Sequence, residues 1–156
     1  MVQEINANGD NIQGKYGIVV SKYNDSITFR LLEGAIRTLT DAGVSEDDLV
    51  VVKVPGAWEL PVAAQRLAKT DLVAVLCLGA VIKGETTHDQ YINQQVSHSL
   101  GQLAIQYGKP VLFGLLTCNN MEQAIHRAGG NVGNKGEECA QAALEMVSVL
   151  RQIDES

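Results

Sequence analysis

Aromatic side chains are scarce in this chain of 156 residues. Two Phe, one Trp and four Tyr make up 4% of it, so the place of each one carries weight. Basic residues are also few, 12 Lys and Arg against 18 Asp and Glu, which leaves a net charge of −6. The clustered cationic surface that a duplex nucleic-acid binder needs for its phosphate contacts is not evident, so nucleic acid is a poor partner. Cysteine is limited to Cys77, Cys118 and Cys139, an odd and widely spaced set without C-x-x-C. Such a set fits neither a disulfide framework nor a zinc site and reads as reduced thiols. Cys77, inside an apolar run, is expected to be a small core residue. Apolar runs such as Leu72–Leu78 and Val111–Leu116 fall far short of the roughly 20 residues that cross a bilayer, so no membrane span is expected. The opening MVQEINANGD has no basic stretch followed by an apolar one, so neither a signal nor a transit peptide is expected and the cytosol is the expected location.

What is present is the composition of a folded protein, 46% hydrophobic and 19% charged. At roughly 100–200 residues per domain, the length predicts one domain over 1–156. Four short apolar runs rich in β-branched residues fall within Lys15–Tyr23, Leu49–Val54, Leu72–Leu78 and Val111–Leu116, the pattern of strands buried on both faces. Helical stretches separate them. Ile27, Leu31, Ala35 and Leu39 recur every fourth residue after a cap at Asn24–Ser26, with Gly43 as the stop. A second helix fits Trp58–Lys69, with Pro61 tolerable in its first turn. A third spans His88 to Tyr107, a short fourth Met121–Ala128, and a last one about Gly136–Gln152. The alternation predicts an α/β fold, a doubly wound, four-stranded parallel sheet with helices on both faces. Residues 1–14 are polar and patternless, either a loose tail or an arm that orders on a partner.

Ligands of open parallel sheets bind outside the carboxyl ends of the strands. The segments that follow the predicted strands are Ser21-Lys-Tyr-Asn24, Pro55-Gly-Ala-Trp-Glu59, Gly79 through His88, and Phe113 to Asn119. A Gly- and Thr-rich loop ending in the lone His88 reads as a binding loop presenting an acid or base, or as a loop whose His merely caps a helix. Tyr23, Trp58 and Phe113 fall at or near this edge, where Tyr23 and Phe113 could enclose a flat heterocycle. Arg127 through Gly136 sets two cations, Arg127 and Lys135, around a Gly-rich turn at a helix start. That segment would suit a phosphate, and it equally fits an ordinary helix–helix turn. It is neither a Walker A loop nor a dinucleotide fingerprint. A helix of about 1.5 Å rise per residue starting at the ligand edge carries Arg127 away from its own site, so a neighbouring subunit is the expected recipient of its charge.

The ordered set Ser-Lys-Tyr-Asn at 21–24, Leu-Leu-Glu-Gly-Ala at 31–35, Val-Pro-Gly-Ala-Trp-Glu-Leu-Pro at 54–61, Gly-Ala-Val-Ile-Lys-Gly-Glu-Thr-Thr-His at 79–88, Phe-Gly-Leu-Leu-Thr at 113–117 and Arg-Ala-Gly-Gly with Gly-Asn-Lys-Gly at 127–136 resembles the 6,7-dimethyl-8-ribityllumazine synthases over nearly the whole chain. The resemblance implies a three-layer, flavodoxin-like fold. It also implies condensation of 5-amino-6-(D-ribitylamino)uracil with 3,4-dihydroxy-2-butanone 4-phosphate, the penultimate step of riboflavin biosynthesis, without metal or organic cofactor. By the same resemblance Tyr23 stacks on the pyrimidine, and Ala57, Trp58 and Glu59 hold the ribityl chain. Ala80, Val81 and Ile82 present backbone groups to the uracil edge. Glu85 and Thr86 meet the phosphorylated ketone through their amides, and His88 is the general acid/base. Phe113, Arg127 and Lys135 are expected from the adjacent subunit, Phe113 over the ring and the cations for the phosphate.

The family's pentamers and hollow capsids of twelve pentamers are the implied assemblies, and riboflavin synthase is admitted as a partner. Three positions depart from the family pattern: Tyr23 where Phe or Trp is commoner, Lys83 for a frequent Arg, and His126 for a frequent Glu. None is expected to abolish activity. Two alternatives stand beside this reading, a flavin-binding or storage module on the same kind of fold and a shell protein, the latter compatible with catalysis.

Overall fold

The computed structural model describes residues 1–156. In chain order the elements are β1 (Tyr16–Ser21), α1 (Asp25–Asp41), β2 (Leu49–Val54), α2 (Leu60–Ala68), β3 (Ala74–Ile82), α3 (His88–Tyr107), β4 (Val111–Cys118), α4 (Met121–His126), β5 (Ala128–Gly130), β6 (Gly133–Asn134) and α5 (Lys135–Glu155). Strands β1 to β4 pair in parallel in the order β2-β1-β3-β4, and β5 pairs antiparallel with β6 as a separate hairpin. No helix is long and apolar enough to cross a membrane.

The period of two in a strand divides the core between the sheet faces. Ile18, Val20, Leu76 and Leu78 pack on one side with α1 and α5, through residues such as Leu31, Leu39 and Ala143. Val19, Val75 and Cys77 point the other way, onto Leu60 and Ala64 of α2 and Val96 and Leu100 of α3. The result is a three-layer α/β arrangement consistent with the flavodoxin-like fold, with Cys77, Cys118 and Cys139 all free and buried. Glycine lets α5 approach α1, since a Cβ on Gly136 would run into the Leu31 carbonyl. A β-branched pattern read as burial on both faces holds for β1 but not for β2, where Val50 and Val51 are exposed. β2 is an edge strand with a neighbour on one flank only, and β4, at the other edge, leaves Phe113 and Thr117 exposed for the same reason.

Other differences have local causes. β3 runs on through Gly79–Ile82, which the sequence placed in a loop, because β4 stays paired with it up to Ile82↔Cys118. Ala57–Glu59 is a separate 3-10 turn, and α2 starts only at Leu60, with Pro61 in the first turn where its missing N–H costs nothing. The short fourth helix stops at His126, because Ala128–Gly130 is drawn into the hairpin. Residues 6–13 are not a loose tail. Arg151 donates to the Asn11 and Gln13 carbonyls at 2.9 and 2.6 Å, Gln152 to the Asn6 carbonyl at 2.7 Å, and Ile12 is buried. Polar residues without period dock here through their backbone carbonyls, which leave no hydropathy signal.

The buried phenol of Tyr16 donates to the Ile12 carbonyl at 2.7 Å and closes this arm over the sheet. Burial pushes its pKa up to about 12, and the Arg151 charge offsets only part of that. In the unfolded chain the phenol ionises near its ordinary value of about 10, so stability from this group is complete below that pH and falls as pH rises toward 12. Denaturant titrations across this range are expected to show the loss, with a shallower decline in Tyr16→Phe.

Candidate active site

The pairing of β1 with β2 continues past the strand ends: the Lys22 and Tyr23 amides donate to the Val54 and Pro55 carbonyls at 2.8 and 2.9 Å. This draws Tyr23 and Asn24 against the loop that carries Gly56 to Trp58. Asn24 occupies the left-handed region at φ 63°, where Asn is tolerated better than most residues. It stands at the N-cap position of α1 but provides no side-chain cap. Its Nδ2 instead donates to the Ala80 carbonyl at 3.0 Å and ties the first loop to the end of β3. On the far side, the Lys83 amide donates to the Cys118 carbonyl at 2.8 Å and carries the β3–β4 ladder into the next loop. Thr86 Oγ1 then accepts from the His88 amide at 3.3 Å, and His88 opens α3.

These turns shape a cleft of about 380 Å³ outside the carboxyl ends of β1 and β3. Ala80, Val81 and Ile82 line it from β3, and Tyr23, Ala57 and Trp58 from the two preceding loops. Thr86 and His88 line it beside the start of α3. Tyr23 and Trp58 are 73% and 56% exposed, so two of the seven aromatic rings are held at a mouth of this cleft rather than in the core. Exposed rings of this kind supply flat faces for stacking, and the imidazole can move a proton beside them.

The remaining expected residues lie elsewhere. Glu59 turns back on its own loop, its Oε1 accepting from the Gly56 amide at 3.0 Å. Glu85 is exposed and lies outside the cleft lining, although its neighbours Gly84 and Thr86 contribute. Phe113 is not at the ligand edge. It pairs with Cys77, five residues or about 16 Å short of Cys118 at about 3.3 Å per residue, so within one chain it cannot face Tyr23 across a ligand. The Gly-rich segment is not a helix–helix turn. It is the β5–β6 hairpin, in which Ala128 pairs with Asn134 and the Lys135 amide donates to the Arg127 carbonyl at 3.0 Å. The hairpin thus sets Arg127 and Lys135 side by side. Both line a second hollow of about 230 Å³ against Leu115, Leu116 and Thr117 of β4, and neither lines the first cleft. Asn134 anchors it, accepting from the Glu137 amide at 3.1 Å and donating to the Arg30 carbonyl at 3.1 Å.

Among the lining residues not named as site residues from the sequence, three polar ones stand out. Asn24 is one, read from the sequence as part of the ligand-edge segment 21–24 and as a helix cap but not as a site residue. Glu138 joins the cationic hollow three residues after Lys135, the spacing of one helix face. Asp89 lines the cleft next to His88, and a carboxylate beginning the buried stripe Asp89, Val96, Leu100 and Leu103 was the signal for it. No three His, Cys, Asp or Glu side chains gather closely enough to hold a metal ion.

A parallel α/β sheet with an aromatic-walled cleft beyond its carboxyl edge defines a ligand-binding protein of the doubly wound class. The family model described as 6,7-dimethyl-8-ribityllumazine synthase matches residues 13–151, and the chain belongs to that family. It is 49% identical over 146 residues to the 6,7-dimethyl-8-ribityllumazine synthase of Rhodopirellula baltica, an alignment covering 93% of this chain and 94% of that one.

Replacing Asn24 tests how the cleft is held. Asn24→Ala loses both the tie to Ala80 and tolerance of the left-handed backbone, and is expected to lower stability by about 1–2 kcal/mol. Asn24→Gly regains the backbone part only, and denaturation midpoints should rank wild type, Gly, Ala.

Proposed function

We propose that this chain condenses 5-amino-6-(D-ribitylamino)uracil with 3,4-dihydroxy-2-butanone 4-phosphate to 6,7-dimethyl-8-ribityllumazine, phosphate and water, at a site divided between two copies of the chain. Family membership supports the reaction. The observation that carries the division is the separation of the aromatic cleft with His88 from the hollow with Arg127 and Lys135.

In this reading the aminouracil stacks on Tyr23, with its edge against the backbone of Ala80, Val81 and Ile82 and its ribityl chain along Ala57, Trp58 and Glu59. The ketone lies near Glu85 and Thr86, held through main-chain amides because a carboxylate would repel phosphate. A second copy brings Phe113 over the ring and places Arg127 and Lys135 on the phosphate. Arg127 offers a permanent, bidentate charge in a protein that is acidic overall. The amine adds to the ketone carbonyl and water leaves, phosphate departs by β-elimination, and the second amine closes the ring with loss of water. Each step moves a proton, and His88 is the group in the cleft placed to carry it. Orienting both reactants in one site converts a bimolecular encounter into a local one and supplies much of the rate.

Closed assemblies of the family type, a pentamer or twelve pentamers, would give every copy such a neighbour. Riboflavin synthase, acting on the lumazine, is the protein partner carried by this reading, and the cytosol its location.

Mixing the two substrates and following lumazine absorbance tests the reaction; no product from wild-type protein refutes it. His88→Ala is expected to lower kcat by about tenfold to a hundredfold. Arg127→Ala is expected to raise KM for the ketone by about tenfold while leaving the aminouracil nearly unaffected. Co-assembled His88→Ala and Arg127→Ala chains should regain activity at low ketone concentration, because about a quarter of the sites then combine an intact His88 with an intact Arg127. Mixtures no more active than their components would place the whole site in one chain.

A further inference from the structure

Two buried polar atoms lack a hydrogen-bond partner, Ser21 Oγ and Asp89 Oδ1, and of these two residues only Asp89 lines the cleft. Asp89 is 8% exposed, and its Oδ1 is buried without a hydrogen-bond partner within the chain. A carboxylate oxygen withdrawn from water without a donor is costly, and such atoms persist where something outside the chain satisfies them. The position makes the cost plain. Asp89 begins the stripe on which α3 packs against the sheet, a place where an aliphatic residue would bury without penalty. The first turn of a helix eases a negative charge but leaves Oδ1 without a donor.

We infer that Asp89 is a specificity-determining residue whose carboxylate accepts a hydrogen bond from an N–H or O–H of the ligand in the cleft. The inference rests on the aminouracil occupying that cleft. A carboxylate is an acceptor only, so the ligand must bring the donor, and the aminouracil has ring N–H groups, amines and ribityl hydroxyls to offer. The phosphorylated ketone brings an anion, which Asp89 repels. Asp89 therefore sorts the two substrates by charge: the neutral, donor-rich one enters the aromatic cleft, and the phosphate is left to the cations of the hairpin.

The test uses Trp58, the one tryptophan of the chain and part of the cleft wall, as a fluorescence reporter of aminouracil binding, with calorimetry for inorganic phosphate. Asp89→Leu keeps the branching at Cγ, with a larger side chain, and removes the acceptor; Asp89→Asn is the change that keeps the size. It is expected to weaken aminouracil binding by about tenfold or more, to leave phosphate binding unchanged or tighter, and to melt at the same or a higher temperature, since an unpaired buried charge is gone. Asp89→Asn, which keeps one acceptor oxygen, should show a smaller loss, and it decides the matter alone if the Leu variant does not fold. A chainless 5,6-diaminouracil locates the donor: the same Leu penalty assigns it to the ring, no penalty to the ribityl hydroxyls. Wild-type affinity in both variants overturns the inference, as does an equal loss of aminouracil and phosphate binding. Wild-type affinity with a dissociated assembly would assign the carboxylate to a contact between copies instead. If wild-type protein makes no lumazine, the functional reading fails and this one with it. If wild type is active and the variants bind normally, only the role of Asp89 falls.

Discussion

Backbone hydrogen bonds hold β4 beside β3 from Val75↔Val111 to Ile82↔Cys118, and on its other flank β4 has no strand. That edge divides the chemistry of the molecule. The residues that end β3 line a cleft shared with the loops after β1 and β2, whereas Leu115 to Thr117 of β4 open toward the hairpin and its two cations. A chain folded in this way separates an aromatic-walled cleft from a hollow that carries two cations. The proposed sharing of the site between copies follows from that separation, because one subunit's hairpin then completes another's cleft.

The two parts are also built differently. The core obeys the local rules, with strand residues alternating between two helical layers and glycine at Gly136 where α5 meets the Leu31 carbonyl. The cleft breaks them at several points: Asn24 in the left-handed region, Tyr23 and Trp58 exposed, Asp89 buried without a partner. In the proposed function these departures serve recognition of a ring that carries donors on its edge. Departures of this kind are where proteins spend stability on function. The extensive helical packing on both faces supplies the margin that tolerates them.

Charge follows the same division. With six more acidic than basic side chains, the chain as a whole repels a phosphate, so a local pair of cations is needed to hold one. The antiparallel hairpin provides it by closing the chain so that Arg127 and Lys135, eight positions apart, become backbone hydrogen-bond partners. In the cleft the sign is opposite, with Asp89 and the Glu59 carboxylate nearby. In the proposed shared site this difference would guide two reactants of different charge to different ends before any bond forms.

The sequence by itself determined the layers, the third helix from His88 to Tyr107, and most of the cleft. Buried parallel strands and amphipathic helices write their periods into the order of residues, and the parallel topology then dictates which loops meet. Family membership was legible as well, in motifs whose order and spacing survive local substitution. Tertiary structure alone decided the rest. The hairpin has strands of two and three residues, too short for any period, and the arm of residues 6–13 is held by side chains about 140 positions away that grip backbone carbonyls. Phe113 sits near the start of β4 because register, a property of two strands together, sets its height in the sheet. Whether Asp89 has a partner is likewise absent from its own neighbourhood in the chain, since hydrogen bonding is settled by what the fold brings within about 3 Å.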